Sequence, residues 1–340
     1  MGRGVGTLGL AVALVVGACS GDPPPDGQPG DGPPSPAPSS TLGPVDLVED
    51  EIEVGAEPIG IAAGEGSLWV VASEFRSGGE PSVYRIDPTA GEVTATIPVG
   101  AVPLEVVVGE GGVWVSNAED DTVSRIDPST DEVVATIDVC AAPEGLAIGD
   151  GAVWVACEDD GAVARIDPAR DRMVGTVDVG LQPRFVAFAF DSVWVSNYLD
   201  STLTRIDPTN GEIVAEIETG QGPQIMLEAG GDLWVSCTDV GVVQRIDPAT
   251  NEVVAEVRTP IAPDGLAADE SFVFVATENG PALAAIEIAD NNLIVPEAAV
   301  ADEGFITANQ VMVYEGGSLW LPIFGRGVVL KVRLPVSQTA

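Results

Sequence analysis

The sequence lacks histidine altogether and contains one lysine, Lys331, among its 340 residues. Without histidine the chain has no side chain that commonly serves as a general base or as a zinc ligand near neutral pH. The excess of Asp and Glu gives a net charge of −39, which opposes binding to the phosphates of nucleic acids. We therefore expect no nucleic-acid partner.

Recognisable catalytic motifs are also missing. The sequence contains no Gly-x-Ser-x-Gly elbow and no phosphate-binding loop. These absences, together with the missing histidine, make a non-catalytic protein the favoured interpretation and leave an enzyme as the alternative.

Apolar runs of helical length do not occur in the main part of the chain. The runs are instead about five residues long and rich in Val and Ile, as at 104–108, 112–116, 122–126 and 132–137. Gly, Pro and Asp separate them, which is typical of short β-strands joined by tight turns.

The four-strand unit is repeated along the sequence. The tetrad Arg-Ile-Asp-Pro recurs every 40 residues, beginning at Arg85, Arg125, Arg165, Arg205 and Arg245. An apolar segment with a central aromatic residue precedes it, at Trp69, Trp114, Trp154, Trp194, Trp234, Phe274 and Trp320. Seven such copies predict an all-β, seven-bladed β-propeller of four antiparallel strands per blade over residues 45–335. The tryptophans should be core, and the tetrad aspartates should begin turns.

The seventh copy is one strand short. After Trp320 the chain offers 328–334 as a third strand and then ends. We expect residues 51–55 to supply the missing fourth strand, because an N-terminal strand in the last blade removes an exposed edge.

The N-terminus has the layout of a secretion signal. Arg3 is followed by an apolar run over 5–18 and then by Cys19, and 16–19 resembles a bacterial lipobox. Residues 1–19 are thus predicted to be a lipoprotein signal peptide with lipidation at Cys19; an ordinary signal peptide with an incidental cysteine is the alternative. The nine prolines of 20–44 favour an extended tether. We expect a cell-membrane protein on the extracytoplasmic side, held by its lipid alone.

Three cysteines lie in the repeats. Cys140 precedes the third copy and Cys157 ends its second strand, so both should lie on one face of the ring and could form a disulfide. Cys237 lies two repeats beyond Cys157 and should not pair with it. Three small buried thiols are the alternative, and no spacing resembles a zinc site.

The repeat unit combines four short segments: Pro-x-Gly-Leu-Ala, Leu-Trp-Val-Ser, Val-x-Arg-Ile-Asp-Pro and Glu-Val-Val-Ala-Thr-Ile. Together they resemble the YVTN-type β-propeller repeat of bacterial and archaeal surface proteins. The resemblance covers nearly all of 45–335 and implies the fold, but propellers carry many unrelated activities. Virginiamycin B lyase has a similar blade pattern and works with a histidine base and a metal. That chemistry cannot be transferred to a chain without histidine.

Positions that differ between copies are the candidates for function. The loops before the first strand and after the second strand of each blade should share one end of the ring, here called the top face. In six copies the loop before the first strand carries a proline, and in the seventh copy Asn309 takes its place. The residue that follows this position should point toward the channel mouth. Around the ring it is Ile59, Leu104, Glu144, Arg184, Gln224, Asp264 and Gln310; the second loop adds Asn117, Glu158, Asn197, Tyr198, Thr238 and Glu278.

The predicted site is a top-face ligand site of Glu144, Arg184, Gln224, Asp264, Gln310, Asn117, Asn197 and Tyr198. A small polar ligand or a protein partner would bind there, with Arg184 contacting an anion. The alternative is a solvated polar ring around a water-filled channel.

No cofactor or metal is expected. Glu144 and Asp264 could nevertheless hold a divalent cation such as Ca²⁺, or act as acid and base in a lyase or hydrolase. The favoured function is a surface-anchored binding or scaffold propeller.

Overall fold

The structure, a computed structural model, describes residues 47–74, 77–259, 262–277, 282–300 and 312–334. These residues belong to one compact unit, Thr41–Ala340. The predicted signal peptide, the tether and Cys19 lie outside the described residues, as do Glu278 and Gln310. Within the described ranges, no helix is long and apolar enough to cross a membrane.

The described residues form seven antiparallel sheets of four strands each, which confirms the predicted seven-bladed propeller. Strand β1 (Val48–Glu53) comes first in the chain. Blades 1 to 3 consist of β2 (Pro58–Gly64), β3 (Ser67–Ala72), β4 (Ser82–Asp87) and β5 (Glu92–Pro98); β6 (Pro103–Gly109), β7 (Gly112–Asn117), β8 (Thr122–Asp127) and β9 (Glu132–Asp138); and β10 (Pro143–Gly149), β11 (Ala152–Cys157), β12 (Ala162–Asp167) and β13 (Arg172–Asp178).

The remaining blades repeat this order. Blades 4 to 6 consist of β14 (Pro183–Ala189), β15 (Ser192–Asn197), β16 (Thr202–Ile206) and β17 (Ile213–Glu218); β18 (Pro223–Ala229), β19 (Asp232–Cys237), β20 (Val242–Asp247) and β21 (Glu252–Arg258); and β22 (Pro263–Ala268), β23 (Phe272–Thr277), β24 (Ala282–Glu287) and β25 (Leu293–Ala299). Blade 7 contains β26 (Val313–Glu315), β27 (Ser318–Ile323) and β28 (Val328–Val332), and a short 3-10 helix, Thr238–Val240, lies in blade 5.

The ring closes through the N-terminal strand, as predicted. Strand β1 pairs antiparallel with β28, with Ile52 opposite Val329, and becomes the outer strand of blade 7. Arg326 Nη2 donates to both carboxylate oxygens of Glu51 at 2.7 Å. The first strands of successive blades lie side by side, and β26 contacts both β22 and β2. The described chain therefore forms a continuous ring around a central axis.

The repeated tryptophans are buried between blades, as expected of core residues. Each indole N–H donates to the backbone carbonyl five residues earlier, as in Trp114 Nε1 to Gly109 O at 3.0 Å and Trp194 Nε1 to Ala189 O at 3.0 Å. This bond closes the turn between the first and second strands, so one side chain both fills the core and fixes the hairpin.

The tetrad aspartates begin the turn at the opposite, bottom face. Asp127 Oδ1 accepts the backbone N–H of Ser129 at 2.8 Å and the Ser129 hydroxyl at 2.7 Å. These two hydrogen bonds, the hydroxyl first, lower the pKa of Asp127. The repeated aspartates therefore have the structural role that their recurrence indicated.

The tetrad arginines connect neighbouring blades at the bottom face. Arg85 Nη1 donates to the carbonyl of Pro128 at 2.8 Å and to Asp131 Oδ1 at 2.8 Å, both in the turn of the next blade. Arg125, Arg205 and Arg245 make the same pair of contacts 43 and 46 residues further along the chain. Each guanidinium also lies over the tryptophan of its own blade. We call this contact the arginine clasp.

Candidate functional site

The channel mouth at the top face contains a small cavity enclosed by blades 2 to 5. Its lining comes from the starts of the four first strands: Leu104, Glu105, Glu144, Gly145, Arg184, Phe185, Gln224 and Ile225. Its volume, measured for the centre of a water-sized sphere, is about 10 Å³, which is room for about one water molecule. The predicted residues Glu144, Arg184 and Gln224 therefore do meet, but around a space too small for a substrate.

Glu144 is a buried carboxyl group with an unsatisfied oxygen. Its side chain lines the cavity, the residue is 8% exposed, and Oε2 has no hydrogen-bond partner. Burial raises the pKa of Glu144 well above its ordinary value, and the neighbouring Glu158 carboxylate acts in the same direction, whereas Arg184 opposes it. Glu144 is therefore a proton-bearing group in the range where surface carboxyls are ionised.

Arg184 lies at the centre of a chain of contacts across three blades. Its Nη2 is 3.8 Å from Glu158 Oε1 of blade 3, and its guanidinium carbon lies 4.0 Å from the ring centre of Tyr198. The Tyr198 hydroxyl donates to Asp239 Oδ1 of blade 5 at 2.9 Å. The buried Arg184 Nε has no partner. We call Glu144, Glu158, Arg184, Tyr198 and Asp239 the top network.

Glu105 is a cavity residue that the sequence comparison missed. It stands two residues after Pro103, where blades 1, 3 and 6 carry glycine. A Cβ on Gly145 of blade 3 would lie 2.5 Å from the Arg184 carbonyl, so glycine there allows the next blade to approach. In blade 2 the position holds a buried carboxyl, and burial raises the pKa of Glu105 to about 8. Comparing this second position around the ring would have identified it.

Asp264 does not join Glu144 in a common site. It is fully buried in blade 6 and is not among the residues that line the cavity, and its backbone carbonyl accepts the Ser236 hydroxyl at 2.8 Å. Among the described residues, no group of three or more Cys, Asp or Glu side chains is placed to hold a metal ion. The carboxyls around Glu144 are instead Glu105, on the same cavity, together with Glu158 and Asp159 of blade 3.

Asn117 and Asn197 have structural roles. Both are buried, and each accepts a backbone N–H from the incoming loop, Gly100 N at 3.1 Å and Gly180 N at 3.2 Å. Their amide groups also donate to hydroxyls of the next strand. We therefore leave these two asparagines out of the proposed site, although they were predicted to contact the ligand.

A disulfide replaces this loop contact in blade 3. Cys140 and Cys157, which stand at the positions of Gly100 and Asn117, are joined as a disulfide with their Cα atoms 5.6 Å apart. Cys237 occupies the asparagine position in blade 5 and is a free, buried thiol. Burial raises the pKa of Cys237 to about 12, which makes it a poor nucleophile.

Comparison with known proteins supports the fold and nothing finer. No protein-family model and no curated protein sequence matches the chain. Among solved structures, a streptogramin B lyase has a TM-score of 0.71 at 16% identity, covering 84% of this chain and 96% of its own.

Two further structures are similarly close. A Kuenenia stuttgartiensis hydrazine synthase has a TM-score of 0.70 at 16% identity, covering 89% of this chain and 100% of its own. The protein U3-55K has a TM-score of 0.71 at 12% identity, covering 84% of this chain and 98% of its own. Since identities this low carry the architecture alone, the chain is similar to propellers of different activities.

Proposed function

We propose that the chain is a non-catalytic binding or scaffold propeller whose partner is held at the top face of blades 3 to 5. The observation that carries this proposal is the top network. It combines a buried carboxyl whose Oε2 has no partner, a half-buried arginine whose Nε has no partner, and a tyrosine stacked on that arginine. Arg125 Nε of blade 2 is also buried without a partner, but Glu144 Oε2 is the only such carboxyl oxygen among the described residues. Groups that cost stability and are confined to one part of a repeat fold are typical of binding surfaces.

The placement of the protein is part of the same proposal. We infer that Cys19 carries a lipid and that residues 20–44 form a tether, with the propeller on the extracytoplasmic side of a cell membrane. The apolar run before Cys19, the proline-rich 20–44 and the resemblance to YVTN-type surface propellers support this placement. The Cys140–Cys157 disulfide agrees with an oxidising compartment.

An enzyme is the second candidate, and Glu144 is the observation that favours it. A carboxyl whose pKa is raised by burial can act as a general acid. The cavity in front of Glu144, however, holds about one water molecule. A lyase or hydrolase using this group, with or without a divalent metal, would need the mouth to widen around its substrate.

A ligand screen by thermal shift tests the proposed function. The chain is melted with small polar anions, sugars, peptides and divalent metals, and every hit is repeated with Arg184→Ala. A ligand at about 100 times its dissociation constant stabilises the folded state by about 2.7 kcal/mol, which a melting curve detects. We expect a hit that Arg184→Ala abolishes.

The matched control is Arg172→Ala, which removes one positive charge from an exposed position on the outer strand of blade 3. A hit that survives Arg184→Ala but not Arg172→Ala would contradict the proposed location. Turnover of a hit, lost in Glu144→Gln with the melting temperature unchanged, would favour the enzyme instead.

A further inference from the structure

The top face of blade 4 exposes two leucines beside the top network. Leu181, in the loop before β14, is 60% exposed, and Leu199, in the loop after β15, is 61% exposed. These are the two most exposed large apolar side chains in the part of the chain that the structure describes. The backbone N–H of Leu199 donates to the Leu181 carbonyl at 3.4 Å, so the two residues are neighbours.

The fold does not require leucine at either position. Blades 1, 2, 3 and 5 carry Ala56, Ala101, Ala141 and Gln221 in place of Leu181, and Glu74, Glu119, Asp159 and Asp239 in place of Leu199. Because four other blades form the same loops with small or polar residues, packing within the blade does not explain the pair. An adjacent pair of exposed leucines at a single site indicates an interaction surface.

Acidic side chains lie next to the leucines and around the top network. Asp200 Oδ2 accepts the backbone N–H of Leu181 at 2.6 Å, and Asp239 accepts the hydroxyl of Tyr198, the residue before Leu199. Asp159 is close enough for its charge to raise the pKa of Glu144. All three aspartates are exposed, and the only nearby cation in the described contacts, Arg184, already faces Glu158.

We propose that Leu181, Leu199, Tyr198 and Arg184, here called the blade 4 patch, dock a segment of a protein partner that presents apolar side chains flanked by lysine or arginine. The leucines would contact the apolar side chains, and the surrounding aspartates would select the basic flanks. Tyrosine and arginine in the centre are the residue types that dominate interface energies. This inference rests on the proposed function and names the class of partner for the same face.

The shape of the surface favours a protein segment over a small molecule. The two leucines are 60% and 61% exposed. Of the four patch residues only Arg184 lines the cavity, which has room for about one water molecule. Small molecules bind mainly in concave sites that cover most of their surface, whereas protein segments bind across exposed side chains.

Selection from random dodecapeptides displayed on phage tests the inference, with the purified chain as bait. The test variant is Leu181→Ala/Leu199→Glu, which installs residue types that other blades carry at these positions and should fold normally. The matched control is Ile213→Ala/Val214→Glu, which makes the same changes at two exposed apolar residues on the outer strand of blade 4.

We expect the enriched peptides to combine apolar residues with flanking Lys or Arg. Their affinity should fall at least about tenfold in the leucine variant and stay unchanged in the control. It should also weaken when salt is raised from about 0.1 M to about 1 M, because rim charges are screened.

Peptides without basic residues, peptides that bind the leucine variant as tightly as the wild type, or no enrichment at all would each overturn the inference. Arg184→Ala separates it from the proposed function. Peptides lost in Arg184→Ala but kept in the leucine variant would leave the top-face site standing and reject the leucine docking surface. Peptides that still bind both Arg184→Ala and the leucine variant would reject the top-face site and the leucine docking surface. A small-molecule hit without peptide enrichment would reject the leucine docking surface alone.

Discussion

The two faces of the ring use the same residue type for different purposes. At the bottom face, arginines at equivalent positions in several blades clasp the turn of the next blade, with both N–H contacts at hydrogen-bonding distance. At the top face, one arginine, Arg184, keeps a buried N–H unpartnered and stacks on a tyrosine. The repeated arginines use their Nη1 groups to build the fold, although Arg125 Nε is buried without a partner. In the top network the carboxyl oxygen Glu144 Oε2 is unpartnered as well as Arg184 Nε, so a partner could satisfy an acceptor and a donor there.

The first prediction concerns the core, which both faces share. Trp194→Ala removes a fully buried indole and its bond to Ala189 O, so the free energy of unfolding should fall by about 3–5 kcal/mol. Urea denaturation followed by fluorescence of the remaining tryptophans measures the change. A loss below about 1 kcal/mol would show that the blade interface tolerates a large void.

The second prediction concerns the pH dependence that the buried carboxyls impose on the top face. The pKa of Glu105 is about 8 in the folded chain, against an ordinary value of 4.5. As pH rises, the unfolded chain therefore loses the Glu105 proton before the folded chain does. Between the ordinary pKa of 4.5 and the folded-state pKa of about 8, the free energy of unfolding falls by at most about 1.4 kcal/mol per pH unit. Glu144 acts in the same direction.

Glu105→Gln should thus match the wild type near pH 4 and exceed its stability by about 2–4 kcal/mol near pH 9. Urea denaturation at a series of pH values gives the comparison. Glu110→Gln, at an exposed position of the following turn, is the control and should leave the slope unchanged. Parallel curves for Glu105→Gln and wild type would contradict the account of Glu105.

The third prediction breaks one arginine clasp. Arg125→Gln loses the contacts with Pro168 and Asp171 and the stacking on Trp114, and should cost about 1–2 kcal/mol. Arg165→Gln is the internal control. Blade 4 carries Gly211 at the position of Asp171, and the ion pair of Arg165 is with Asp150 at 3.8 Å. If chemical denaturation shows the same loss of unfolding free energy for Arg125→Gln and Arg165→Gln, the clasp contacts contribute nothing to stability.

The fourth prediction adds the missing partner. Gly211 has a backbone φ of 75°, and blades 5 and 6 place Asn251 and Asn291 at the same position with φ of 59° and 61°. Since asparagine tolerates this left-handed conformation, Gly211→Asn should give Arg165 a partner and stabilise the chain by about 0.5–1 kcal/mol. Gly211→Ala supplies the side-chain carbon without the amide and should give less; a larger gain for alanine would exclude the clasp as the cause.

Recurrence in the sequence was sufficient to predict the fold, because every blade repeats its strands and a central aromatic residue, and five of the blades repeat the turn aspartate. The closing strand followed from the shortage of one strand after Trp320. Recurrence alone did not reveal the contacts between copies. The arginine clasp joins residues more than one period apart, so the sequence of a single copy does not show it. The contacts of Asn117 and Asn197 with the incoming loops span 17 residues and were missed for another reason, because the sequence does not show that these side chains are buried.

The candidate site was predicted in part. Glu144, Arg184 and Gln224 were chosen because their position varies between blades, and the structure gathers them around one cavity. Glu105 was overlooked because, at the start of the first strands, only the residue directly after the proline was compared. The leucines of the blade 4 patch were overlooked because an apolar residue in a loop has no meaning until its exposure is known.

The central claim is that the top network serves binding at some expense of stability, while the bottom face serves the fold. The most direct test is urea denaturation of Glu144→Leu/Arg184→Leu, which installs the residue that blade 2 carries in Leu104. Replacing a buried carboxyl and a half-buried guanidinium, both incompletely paired, with apolar groups should leave the free energy of unfolding unchanged or raise it. A loss of more than about 1 kcal/mol would show that the top network holds the ring together and would contradict the claim.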